Sequence, residues 1–282
     1  MSTSNTTISR QAIQIVPAKP FTHGQGFTAY SVNQQSLGKE IAPFLQLDHY
    51  FMTQPTFAEH PHQGFSAVTY MFEDSEGSFF NEDSQGNRST IAPGDIHWTQ
   101  AGSSIRHNET PIEPGKMCHG IQMFVDLPVV DKSLPAKAFH LTAAQIPVYT
   151  TDAGVRVRVV IGEANSVTSP LKISTKIRFL DVILPANSSI EHEVAADESV
   201  FLLAVKGSGF VGDRQDAIET NQATLFAPTG SNIHTKAGAE GLQYVLCISQ
   251  YSSSESSEVH QLGTSLKIKY QSAGSNRDIP LR

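Results

Sequence analysis

What most constrains this chain is the rhythm of its apolar residues. Short runs rich in β-branched and aromatic side chains recur along it, each closed by Gly, Pro, Asn or Asp, with little helical periodicity. Residues 67–72, 121–125, 155–161, 177–184, 200–205 and 242–248 read as strands. Turn signals at Asp83-Ser84-Gln85-Gly86-Asn87, Pro93-Gly94-Asp95, Gly207-Ser208-Gly209 and Pro228-Thr229-Gly230 separate them. Such strands must bury one face against another sheet, so the expected class is all-β, a sandwich or barrel with few short helices. One helical turn is expected over residues 142–145, because Thr142 can cap the run that ends before Pro147.

The two halves repeat weakly. A strand at 68–72 leads to Ile91-Ala92-Pro93-Gly94 and then His107, and a strand at 201–205 leads to Leu225-Phe226-Ala227-Pro228-Thr229-Gly230 and then His234. Two similar β modules are the simplest account, and 282 residues accommodate them. The boundary is expected near residue 140, after Asp126-Leu127-Pro128 and the polar segment 131–138, giving modules over 1–140 and 141–282. In the tail, the Ser- and Glu-rich residues 252–258 read as a loop or linker and residues 265–270 as one more strand.

Composition narrows the class of partner. A formal net charge of −7 disfavours a broad nucleic-acid or anionic-membrane footprint. Cys118 and Cys247 stand in apolar contexts and read as reduced, buried thiols. Residues 1–10 lack the apolar segment of a secretory signal, and no apolar run approaches the roughly 20 residues of a membrane span, so a cytoplasmic protein is expected.

Chemistry concentrates in two triplets, His60-Pro61-His62 and His107-Asn108-Glu109. In an extended strand residues i and i+2 share a face, so each triplet aims two potential metal ligands in one direction. Three imidazoles and a carboxylate suit a borderline divalent metal such as iron, zinc, manganese, copper or nickel rather than calcium or a thiolate-bound structural zinc.

The surrounding residues resemble a known family. His60-Pro61-His62-Gln63-Gly64-Phe65, Val68-Thr69-Tyr70, Asp83-Ser84-Gln85-Gly86-Asn87, Pro93-Gly94-Asp95-Ile96-His97-Trp98, Ala101-Gly102 and Ile105-Arg106-His107-Asn108-Glu109 are similar, in order and spacing, to the pirins. Leu47-Asp48-His49-Tyr50 and the run from Gly120 to Pro128 extend the resemblance, which is strong over about 40–130 and looser over 150–250. Pirins are bicupins of the cupin superfamily.

The resemblance implies two cupin (jelly-roll-type) barrels in tandem and one metal in the first, Fe(II) foremost, with Zn, Mn, Cu, Ni or Co as alternatives. Carried over residue by residue, its ligands are His60, His62, His107 and Glu109. It further implies a dioxygenase that opens flavonols such as quercetin with O2 and releases CO, in which Glu109 is the candidate general base and Phe51, Phe65 and Phe80 are candidate pocket walls. The alternatives are an iron-binding regulatory or sensor protein acting through a protein partner, and another metal-dependent cupin enzyme.

His49, His97 and His119 are expected to pack or support rather than ligate. In the second module His192, Glu198 and His234 form a partial pattern, with Val194 where a second His would stand, and read as the remnant of a site. The chain departs from the family at Ser66, Asn81 and Thr99, where many pirins carry an acidic residue, a His and a Met, all expected near the barrel mouth. The family's C-terminal Gly-Pro-Phe-Val-like stretch has no counterpart after Tyr251, which leaves open the strand that closes the second barrel.

Overall fold

Alternating inward and outward side chains build almost all of this protein. The computed structural model describes residues 8–250. The first half holds β2 to β12, preceded by β1 (Ala12–Pro17): β2 (Lys19–His23), β3 (Phe27–Asn33), β4 (Phe44–Met52), β5 (His60–His62), β6 (Phe65–Met71), β7 (Phe79–Asp83), β8 (Arg88–Ile91), β9 (Ile96–Gln100), β10 (Ile105–Pro111), β11 (Cys118–Asp126) and β12 (Lys137–Leu141). The second half holds β13 (Val148–Thr150), β14 (Arg156–Ile161), β15 (Glu163–Ala164), β16 (Val167–Thr168), β17 (Ile177–Leu184), β18 (Ser189–Glu193), β19 (Glu198–Val211), β20 (Asp216–Glu219), β21 (Gln222–Phe226) and β22 (Asn232–Gln250). Each of the six expected runs falls on one of these strands.

Among the described residues, helix is confined to α1 (Gln34–Leu37), capped by the Asn33 side chain, and three 3-10 turns. The turn over Ala143–Gln145 is the expected one: the Gln145 side chain accepts from the Thr142 backbone N–H at 2.9 Å. No helix among the described residues is long and apolar enough to cross a membrane. The expected loop over 252–258 and strand over 265–270 lie outside the described residues.

One expected turn is not a turn. Gly207-Ser208-Gly209 lies inside β19, a continuous strand of 14 residues whose register with β22 shifts on either side of Gly207. Gly207 sits at φ +78°, and a Cβ there would meet the Gly241 carbonyl oxygen at 2.3 Å. Glycine here permits a bulge within a strand rather than its end.

The repeat is visible in the strand order. One sheet runs β12-β9-β6-β11-β4-β3-β2 and the other β1-β21-β19-β22-β17-β14-β13, matching position by position. In the first half a separate sheet, β5-β10-β7-β8, closes the barrel; in the second, β18 and β20 pair with the long β22 and β19 instead. The edge beside β21 is filled by β1, from the N-terminal side of the chain.

The large sheets meet back to back. Val68, Tyr70, Ile121 and Met123 of the first share one core with Phe179, Phe201, Leu203 and Val245 of the second, and Phe44 meets Phe201 edge-on at 5.2 Å between ring centres. Tyr70 carries a polar link across it, donating its hydroxyl to Asp181 at 2.7 Å and accepting from Arg158 at 3.1 Å. Cys118 and Cys247 are free and fully buried.

Candidate metal centre

The two triplets are built into paired strands. β5 and β10 run antiparallel with His60 opposite His107 and His62 opposite Ile105, so i+2 alternation puts His60, His62, His107 and Glu109 on one face. The ligand nitrogens of the three histidines lie within 4.8 Å of one another, and His62 Nε2 is 3.0 Å from His107 Nε2. His60 Nδ1 contacts the Ala58 carbonyl oxygen at 2.9 Å, which fixes the ring with Nε2 free.

Burial keeps two of these rings neutral. It depresses His62 to about 3 and His107 well below the ordinary imidazole value, so both present lone pairs at neutral pH. Three imidazoles converging from paired strands fit a divalent transition metal.

Glu109 shares the face but not the cluster. Its carboxylate accepts the Thr69 hydroxyl at 2.6 Å, and the same Thr69 oxygen lies 2.8 Å from Gln122 Oε1. Desolvation pushes the Glu109 carboxyl up to about 7, against the lowering effect of the Thr69 hydrogen bond.

The three candidate wall residues part company. Phe65 packs edge-on to His62 at 5.3 Å and to Phe124 at 5.4 Å, beside the histidines. Phe51 faces the other side of β4, stacked on His119 at 4.7 Å, and Phe80 is exposed on β7 between inward-facing Phe79 and Asn81. Strand parity separates them from Phe65. Parity also corrects the placement of Ser66, which is on the face of β6 shared with Val68 and Tyr70, away from the histidines; Thr99, directly opposite Ala67, and Asn81, directly opposite Glu109, face the barrel interior.

Of the remaining first-barrel histidines, His49 and His119 pack and support as expected, while His97 shares the inner face with Thr69. His49 and His119 meet Nε2 to Nε2 at 2.8 Å, with Asn221 and Asp74 on their outer nitrogens, and His97 is buried. In the second barrel His192 Nε2 is 2.7 Å from the Tyr244 hydroxyl, while Glu198 binds Arg178 at 2.5 Å. His192 pairs with Ile233, so His234 faces the opposite side, and among the described residues the partial pattern does not converge.

Sequence reasoning missed Thr69, Gln122, Phe124, Gln46 and Asp48, all on the inner face of the first barrel's large sheet. Their signal was the alternation itself: in Ile121-Gln122-Met123-Phe124-Val125 the aliphatic parity serves the inter-barrel core and the other parity serves the site.

Comparison with known proteins agrees with this layout. The sequence model of the Pirin family matches residues 9–125. Pirin-like protein 2 of Arabidopsis thaliana is 31% identical over 252 residues, spanning 87% of this chain and 77% of that protein. This chain belongs to the pirin family. Among solved structures, a quercetin 2,3-dioxygenase from Acinetobacter baumannii has a TM-score of 0.78 at 22% identity, covering 91% of this pirin and 97% of that chain. The bacterial pirin YhhW from Escherichia coli, solved in complex with nickel(II), has a TM-score of 0.64 at 18% identity over 85% of this chain and 100% of that one. The fold is thus the pirin pair of tandem cupin barrels.

Proposed function

We propose that this pirin is a metal-dependent dioxygenase acting on flavonol-like aromatics, with His60, His62, His107 and Glu109 as the set that would hold the metal and Glu109 also as general base. The observation that carries the reading is the convergence of three imidazoles next to a carboxylate and an aromatic wall. The dioxygenase named among its structural neighbours and the nickel bound by YhhW support it. A divalent metal, iron foremost, supplies Lewis acidity and oxygen chemistry when bound.

The chain's own groups prepare the substrate. Glu109, held at about 7, accepts the proton of a flavonol 3-hydroxyl at its carboxylate oxygen, leaving the electron-rich enolate that O2 cleaves with loss of CO. Thr69 orients the carboxylate, and Phe65 with Phe124 offers a face for the aromatic rings.

Anaerobic titration of the iron-loaded protein with quercetin tests binding, through a shift in the flavonol absorption. Admission of O2 is then expected to consume oxygen and release CO. Fully loaded protein that does neither overturns the reading.

A further inference from the structure

Opposite the histidines, the large sheet of the first barrel presents polar groups that the proposed reaction leaves unused. Pairing sets Gln122 beside Asp48 and Phe124 beside Gln46, on the face that carries Thr69 and is therefore turned to Glu109. Phe124 lies 5.9 Å from His62 between ring centres, so this face extends from the histidines through an aromatic ring to the two amides.

Three observations single it out. Asp48 is a carboxylate only 3% exposed, and the groups acting on it are hydrogen bonds from Ser31 and Gln46, with no cation among them. Gln46 spends its amide nitrogen on both Asp48 oxygens, at 2.9 and 2.8 Å, and Gln122 points its oxygen at Thr69. The Gln46 oxygen and the Gln122 nitrogen engage no other described group. Finally, Gln46, Gln122 and Phe124 are only half-buried, so the face keeps solvent access.

We propose that Gln46, Asp48 and Gln122 form a recognition band for hydroxyl groups of a planar aromatic ligand other than those that meet the histidines. The inference rests on the flavonol reading above and assigns its substrate class more narrowly, to polyhydroxylated rings. A hydroxyl both donates and accepts: the Gln46 oxygen and the Asp48 carboxylate accept, and the Gln122 amide donates. A ring without such hydroxyls would displace water from these groups and leave them unpaired, which disfavours it.

The test compares quercetin with 3-hydroxyflavone, which keeps the 3-hydroxyl and 4-carbonyl and no other hydroxyl. Both are titrated anaerobically into iron-loaded parent, Gln46→Leu and Gln122→Leu, following flavonol absorption, with thermal melting as the check that each variant folds. Quercetin is expected to bind the parent about ten- to hundredfold more tightly than 3-hydroxyflavone, and each substitution to remove most of that difference while 3-hydroxyflavone affinity holds. Should a leucine variant melt early, Gln46→Glu, which keeps the shape and the acceptor but sets a second carboxylate beside Asp48, is expected to weaken quercetin selectively. Equal affinities in the parent, or equal losses for both ligands, overturn the recognition band and leave the dioxygenase reading standing. If neither flavonol binds, both fall.

Discussion

The two barrels share a strand order and differ in what they enclose. The first buries Asp48, Asn81, His97, His62 and His107 in its interior; the second fills the same space with Val157, Leu180, Val182, Val200, Leu202, Leu246 and Ile248. Its surviving polar trio, His192, Tyr244 and Thr235, is satisfied internally at 2.7 and 2.8 Å. By contrast both side-chain polar atoms of Asn81 and both ring nitrogens of His97 lack partners among the described residues. Buried polar groups left unpaired cost stability, so the first barrel is held in a state suited to a ligand, and the second in a state suited to packing.

The comparison breaks most sharply at the metal. His62→Ala is expected to abolish metal retention, read by elemental analysis of the purified protein, whereas His192→Ala should keep the parent's metal content. The reverse pattern would place the site in the wrong barrel.

Stability should respond in the opposite sense. Leu202→Ala, in the apolar second barrel, is expected to cost about 2–5 kcal/mol in denaturant unfolding with metal content unchanged. A cost below about 1 kcal/mol would show that this core is not close-packed.

Asp48 offers a pH-resolved version. Desolvation, against hydrogen bonds from Ser31 and Gln46, raises its carboxyl to about 6, so between the unfolded value of about 3.9 and about 6 the folded state holds a proton that the unfolded chain has released. Stability from this group therefore falls as pH rises through that window, and the cost is complete above it. Asp48→Asn is expected to gain about 1–3 kcal/mol at pH 8, with the gain vanishing towards pH 4. A gain independent of pH would mean that the charge of Asp48 is not what the fold bears.

The smallest effect sharpens the second barrel. Tyr244→Phe leaves His192 and Thr235 without their shared hydroxyl and is expected to cost about 1–2 kcal/mol, measured by chemical denaturation, with no change in flavonol binding.

Much of this was readable in advance, for a physical reason. The period-2 alternation that forces strands also fixes which residues share a face, so the His60, His62, His107 and Glu109 arrangement followed once both triplets were strands. Phe51 and Phe80 show the limit. Each sits in the right stretch of chain, but which parity points inward depends on which sheet lies opposite, and a one-residue difference turns a pocket wall into a surface or seam residue. Gly207 shows another limit: the same glycine signal serves a turn and a bulge, and only the neighbouring strand at Gly241 decides.

By itself, then, the sequence determined an all-β chain with a repeated plan, three imidazoles aimed together, and only a partial set in the second half, because these depend on local spacing and residue type. Tertiary structure alone decided that β1 crosses to complete the second barrel, that Thr69 meets the Glu109 carboxylate, and that Gln46, Asp48 and Gln122 line the same interior. Those relations join residues tens to hundreds of positions apart, and no local pattern records which distant strand a given edge will pair with.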